Sequence, residues 1–335
     1  MKKILLFTTI ASLFLMWACS DEPSKGNPNF WKSNDLRKMQ LRGNVRKVIY
    51  TGTDKTLSEQ RIYEFDAKGN IVKFLLSLLY SDGKTGVLTE DYQYNSAGQL
   101  ASITSSMGVV CSFNYGNHGI FVPVNDILFI LGYGFVSMPN LFEYDLASIS
   151  TSVDGREHSW DFSVSGNTMT FYYEKYSVAD TLTITLNGSK YPLKGIDSKG
   201  REILSYSYYA NNMLKLKRVV VYEEDKEDEE GKIIGDETIN YIADDDYLFP
   251  SKTEEYKIDT DSVGSNPRPV WIFYNYQYND YKDISVIDYI NLTVQSSEYI
   301  YNEFDENGNW TDRIIANTYS SQLADSIREI REISY

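Results

Sequence analysis

A short pattern that recurs along the chain restricts its folding more than any other feature. It reads Tyr63-Glu64-Phe65-Asp66-Ala67-Lys68-Gly69-Asn70-Ile71, Tyr92-Gln93-Tyr94-Asn95-Ser96-Ala97-Gly98-Gln99-Leu100 and Phe304-Asp305-Glu306-Asn307-Gly308-Asn309-Trp310. Each part has a physical task. The aromatic ends a strand, the Asp or Asn side chain binds turn amides, Gly adopts positive φ without a Cβ clash, and an apolar residue starts the return strand. Gly195-Ile196-Asp197-Ser198-Lys199-Gly200-Arg201 is a looser fourth copy, and Tyr276-Gln277-Tyr278-Asn279 keeps the strand half without the glycine. A chain punctuated in this way folds as hairpins.

Between these turns the hydrophobic period is two. Leu182, Ile184 and Leu186 interleave with Thr181, Thr183 and Thr185, and Trp160, Phe162 and Val164 interleave with Asp161 and Ser163. That is the signature of antiparallel strands with one buried face. Further turn signals at Asp154-Gly155, Ser165-Gly166-Asn167, Asn187-Gly188 and Asn211-Asn212 follow at short intervals. They favour a meander of hairpins over crossover units. The expected fold is all-β: an antiparallel hairpin meander forming an open or closed barrel-like sheet over residues 30–335, a single domain.

Two segments break the pattern. Ile120 to Met138 is almost continuously apolar but contains Pro123, Asp126, Gly132 and Gly134. Asp126 and the lack of basic flanks argue against a membrane span, so a short buried helix near 124–131, plugging one end of the sheet, is expected. Glu223 to Glu230 carries seven acids around Lys226. A solvated hairpin tip is the default reading of such a run, with calcium binding as the sharper alternative. Upstream, Asp35 to Leu41 reads as a short helix capped by Asp35, and Leu41-Arg42-Gly43-Asn44-Val45-Arg46-Lys47-Val48 starts the first strand.

The address is written at the start. Met1-Lys2-Lys3 is a basic opening, Ile4 to Trp17 is apolar apart from Thr8, Thr9 and Ser12, and Ser20-Asp21-Glu22 ends the run too early for a bilayer span. Leu15-Met16-Trp17-Ala18-Cys19 resembles the lipobox of bacterial lipoproteins, with Ala18 before a cysteine that takes the lipid. The resemblance implies a signal peptide over 1–18, lipidation at Cys19 and a flexible, proline-containing tether over 19–29. Cys19-Ser20-Asp21-Glu22 also looks like the acidic surface-export signal of Bacteroidetes-type lipoproteins. It implies an outer-membrane anchor facing the cell exterior, with a periplasm-facing arrangement as the alternative.

The hairpin copies resemble the YD-type repeats of bacterial cell-surface proteins. They are similar more broadly to Bacteroidetes surface lipoproteins of unknown function built from long antiparallel hairpins, some of them porin-like. The close of the chain, Gly308-Asn309-Trp310-Thr311-Asp312-Arg313 with Arg331-Glu332-Ile333-Ser334-Tyr335, looks especially like theirs. The resemblance implies a fold and a location, and it carries over no catalytic residue.

Composition narrows the chemistry. Loss of residues 1–18 removes two lysines and leaves 317 residues with a formal charge of −17. Such a surface repels phosphates, so nucleic acid is not an expected partner, and the membrane is reached through the lipid. Only Cys19 and Cys111 are present, so lipidation leaves no pair for a disulfide, and Cys111 sits in an apolar run as a buried thiol. With His118 and His158 the only histidines, no metal set and no cofactor are expected. No nucleophile elbow, P-loop or dinucleotide motif occurs. His158 beside Trp160 is read as a solvent-facing strand histidine rather than a general base.

Asp305 to Asn309 and Asp259-Thr260-Asp261 lack the spaced bidentate Glu of a calcium loop and are read as turns. Among 47 acidic residues some pair lies at any chosen separation, so a carboxylate-dependent glycan hydrolase stays a weaker alternative without a named pair. The aromatic rows have more functional reach. Tyr274, Tyr276 and Tyr278 share a strand face with Ile272, and Tyr206 and Tyr208 share one with Leu204. Tyrosine suits sugar rings and peptide side chains, although the same rows serve as sheet core or cross-strand ladders. The expected function is a lipid-anchored surface protein binding a glycan or peptide, with a structural envelope lipoprotein as the alternative.

Overall fold

The four glycine-bearing turns share one geometry. The backbone N–H of Asp66, Asn95, Asp197 and Asp305 donates to the carbonyl four residues on, and Gly69, Gly98, Gly200 and Gly308 donate back to those same four residues. All four glycines have φ between 77° and 82°. The Asp66 and Asp305 carboxylates each accept two further turn amides, which is the role the side chain is expected to play. A fifth copy at Asn187 was not legible as one, because its positive φ falls on Lys190 and not on Gly188.

The computed structural model describes Met39 and residues 41–335, except 54–56, 81–82, 132–141, 154, 176–177, 211–213, 224–231, 244–249, 260–267, 279–282, 291–295 and 320–321. The expected signal segment, Cys19, the expected tether, most of the expected helix at Asp35–Leu41, the acidic run past Glu223 and Asp261 therefore lie outside the described residues.

Six strands come first: β1 (Lys47–Thr53), β2 (Leu57–Phe65), β3 (Ile71–Tyr80), β4 (Thr85–Tyr94), β5 (Leu100–Ser105) and β6 (Val109–Tyr115). An insertion follows, in which β7 (Phe121–Val122) pairs with β8 (Glu143–Tyr144) around helix α1 (Val124–Ile130). The meander resumes with β9 (Leu146–Val153), β10 (Arg156–Ser165), β11 (Thr168–Lys175), β12 (Val178–Leu186), β13 (Pro192–Ile196), β14 (Glu202–Tyr208) and β15 (Leu214–Glu223). It ends with β16 (Lys232–Ala243), β17 (Pro250–Asp259), β18 (Arg268–Tyr278), β19 (Ile284–Ile290), β20 (Ser296–Phe304), β21 (Trp310–Tyr319) and β22 (Gln322–Ser334).

Apart from β7 and β8, the strands form one 20-stranded antiparallel sheet. Sequential neighbours pair throughout, with β6 joined to β9 across the insertion. The first strand pairs with β2 on one side and with β22 on the other, so the ladder of pairings returns to its start. At the turns the register slips just before the strand-ending aromatic, pairing Phe65 with Ile71, Tyr94 with Leu100, and Phe304 with Trp310. These bulges bend the strands where the chain reverses.

The alternation sorts as expected. Trp160, Phe162, Phe171, Leu182, Ile184 and Leu186 are buried, whereas Asp161, Ser163, Tyr172 and Thr185 are exposed. On β10–β12 the outward side chains are thus mostly polar, the reverse of the apolar belt on a lipid-facing barrel. The largest core cluster lies on the inner face from β1 to β15, and α1 sits inside it. Val124, Ile127, Leu128 and Ile130 are all buried, which accounts for a short helix that is apolar apart from Asn125 and Asp126. Pro123 presets the first turn and accepts the Ile127 amide through its carbonyl. The short plugging helix expected near 124–131 is present at Val124–Ile130.

Both ends of the described chain fasten to one turn. Arg42 N–H donates to Asn309 Oδ1 at 2.7 Å, Asn309 Nδ2 donates to the Arg42 carbonyl at 3.0 Å, and the Arg42 guanidinium donates to the Gly308 carbonyl. The Tyr335 hydroxyl donates to Asp305. In an up-and-down meander the turns β2–β3, β4–β5 and β20–β21 and the α1 insertion all fall at this end.

Candidate functional site

The inner face at the seam, from β20 through β21, β22 and β1 to β2, departs from an apolar core. The register builds it. Tyr50 stands opposite Arg61 on one side and Arg331 on the other, and Arg313 stands between Tyr301 and Glu329. Three arginines from three strands are thereby brought to one inward patch with the aromatic rings of Tyr50, Tyr299, Tyr301 and Trp310.

Glu329 is the hub. Arg313 reaches it at 2.5 Å, and Arg61 reaches it at 3.3 Å across β1, where Gly52, opposite Glu329, carries no side chain. Arg61 also pairs with Glu59 at 2.8 Å. Burial works against the ionised Glu329, yet Arg313 and Arg61 outweigh it and hold the carboxyl below its ordinary range. The Trp310 ring carries two guanidinium groups, with Arg331 Cζ 3.7 Å and Arg313 Cζ 4.0 Å from its centroid. Arg331 also lies 4.7 Å from the Tyr50 ring. Burial pushes the Tyr301 hydroxyl up to about 12, so it stays protonated and donates to the Ile284 carbonyl. Asp283, just before β19, is buried, and burial raises its carboxyl against the pull of Arg42, Arg331 and Arg313.

A second buried charged group ties the plug to the wall. Asp126 of α1 accepts from the Tyr206 hydroxyl at 2.7 Å and pairs with Lys217 Nζ at 2.6 Å. Burial first, and then the Asp126 charge, drives the Tyr206 hydroxyl well above its ordinary range and keeps it a donor.

The tyrosines read from sequence as ligand-facing lie on the inner face, not on an exposed concave patch. Tyr274 is 7% exposed, clustered with Ile287, Tyr299 and Ile315, and its ring meets Tyr289 edge-on at 5.5 Å. Tyr276 is half-buried and stacked 6.3 Å from Tyr274, and Tyr278 is half-buried beyond a bulge. Tyr206 is 4% exposed and committed to Asp126. Tyr208 is half-buried, with its hydroxyl donating to the Pro192 carbonyl at 2.8 Å. The physical reason is the ring. Alternation tells which residues share a face, and curvature turns that face inward.

His118 and His158 are exposed, and Cys111 is buried with its thiol pushed up to about 12. Among the described residues no cluster of three or more His, Cys, Asp or Glu is placed to hold a metal ion. Sequence reasoning missed the arginine cluster. Its members are Arg61, Arg313 and Arg331, which look in the sequence like ordinary strand cations.

No family model and no curated protein matches the chain. Among solved structures it is similar to a porin-like protein from Bacteroides uniformis, at 9% identity over 88% of this chain and 99% of that one, with a TM-score of 0.42. A porin-like protein from Bacteroides vulgatus matches at 12% identity over 87% and 98% of the two chains, with a TM-score of 0.34. The TcdB2–TccC3 toxin structure matches 80% of this chain with 19% of its own, at 9% identity and a TM-score of 0.20. None superposes closely enough to bear on function.

Proposed function

We propose that this chain is a lipid-anchored protein of the outer cell surface that binds a glycan or peptide, with its recognition chemistry on the inner face at the seam. The observation that supports binding is the charged, aromatic-lined patch of Arg61, Arg313, Arg331 and Glu329. Desolvating so many charges stabilises a fold poorly, so a purely structural shell gains little from them. The lipid on Cys19 and the tether over 19–29 lead into the plugged end, where Arg42 is latched to the β20–β21 turn. The opposite end of the ring then points away from the membrane.

A second reading, a structural envelope lipoprotein built on YD-like hairpins, is favoured by the burial of Tyr206 and Tyr274. Purified full-length lipoprotein probed on glycan and peptide arrays separates the two: reproducible ligands support binding, and a blank array favours the envelope role. Location is tested by fatty-acid labelling and by external protease on intact cells. Label retained in a Cys19→Ala variant refutes the anchor, and protection from protease places the protein facing the periplasm.

A further inference from the structure

The charges at the seam do not balance. Among the described residues, Arg42, Arg61, Arg313 and Arg331 share the neighbourhood with Glu59, Asp283 and Glu329, which is four cations against three carboxyls. Arg61 and Arg313 are ion-paired, and Arg42 donates to the Gly308 carbonyl. Arg331 differs. It is 6% exposed, has no ion pair among the described residues, and its Nε is buried without a hydrogen-bond partner. Its contacts are rings: Trp310 at 3.7 Å and Tyr50 at 4.7 Å from Cζ. A guanidinium lodged against rings keeps its N–H edge as the direction for hydrogen bonds, and a planar carboxylate fits that edge with two parallel contacts. Asp283 and Glu329 act on Arg331 electrostatically without forming an ion pair with it, so its buried Nε–H keeps no direct partner, and an anion that supplies one is favoured.

We infer that Arg331 is an internal receptor for a carboxylate group, with Trp310 and Tyr50 fixing the guanidinium so that its Nε–H edge meets the ligand. This rests on the binding reading for its biological meaning but is tested independently of it. Two sources share the chemistry, a uronic acid and the carboxylate of a peptide.

The test follows the thermal midpoint of the full-length lipoprotein in detergent against acetate, glucuronate and N-acetylglycine, with sodium chloride holding ionic strength constant. A ligand that binds only the folded chain raises the midpoint saturably. Acetate should do so, and whichever of the other two acts at lower concentration identifies the source. R331K should weaken the response about tenfold through loss of the bidentate edge, and R331Q should abolish it. R328Q, on the outward face, should leave it unchanged. If R331Q fails to fold, the arginine Nε–H resonances of the unmodified protein decide the matter, because that of Arg331 must shift on acetate addition. No response beyond chloride, an equal response in folded R331Q, or an unmoved Arg331 signal means that water alone fills the site and overturns the inference. Array ligands that are all neutral, together with no acetate response, sink the carboxylate site and spare the binding reading. An acetate response with a blank array does the opposite.

Discussion

Replacing Asp126 by Leu should detach α1 from the wall it plugs. The carboxylate holds Lys217 Nζ at 2.6 Å and the Tyr206 hydroxyl at 2.7 Å, with the Asp126 and Lys217 side chains only 4% and 13% exposed. Removing one member of a buried pair leaves the other charge without its counter-ion and costs about 3–5 kcal/mol. The lost acceptor for Tyr206 adds about 1–3 kcal/mol. Lys217 retains some access to water, which places the expected total near the lower end of the sum, about 4–5 kcal/mol. Urea unfolding followed by tryptophan fluorescence reads this from the midpoint and slope. Changing both partners, Asp126→Leu with Lys217→Met, should recover most of the loss, because an apolar pair of similar volume replaces an ion pair at little cost. A single variant within about 0.5 kcal/mol of the parent refutes the tie. A double variant as unstable as the single refutes its electrostatic origin.

Other outcomes follow from the same physics. Gly308→Val forces a β-branched residue to φ near 77° and should cost about 1–3 kcal/mol, measured as a lower denaturation midpoint. An unchanged midpoint would contradict the turn assignment. The Glu329 carboxyl is held below its ordinary value of 4.5 in the folded chain, so its stabilising contribution is complete above that pH and is lost as pH falls through the lower, folded value. Glu329→Gln should therefore flatten the acid limb of a stability-versus-pH curve, and an unaltered limb excludes the pairing as its source. Tyr274→Ala should destabilise by about 3–5 kcal/mol as a core truncation. A native midpoint with lost ligand capture would return that residue to a binding surface.

The turns were legible because their chemistry is local. Asp66, Gly69 and Asn70 meet within five residues, so side-chain reach and a positive φ are written in consecutive letters. Lys190 escaped because it takes the same backbone angle without glycine's permissive signature. The α1 plug was legible from one anomalous apolar run, but its partner Lys217 was not, since nothing local links positions 126 and 217. The same holds at the seam, where Arg61 meets Glu329 across 268 positions. Local sequence thus determines strands, turns and the shared face of Tyr274, Tyr276 and Tyr278, because period two and turn geometry depend only on neighbours. Which side of the sheet faces inward, that β1 closes on β22, and that Arg331 lies buried against Trp310 are decided by tertiary structure, because long-range pairing and curvature choose among faces that alternation leaves equivalent.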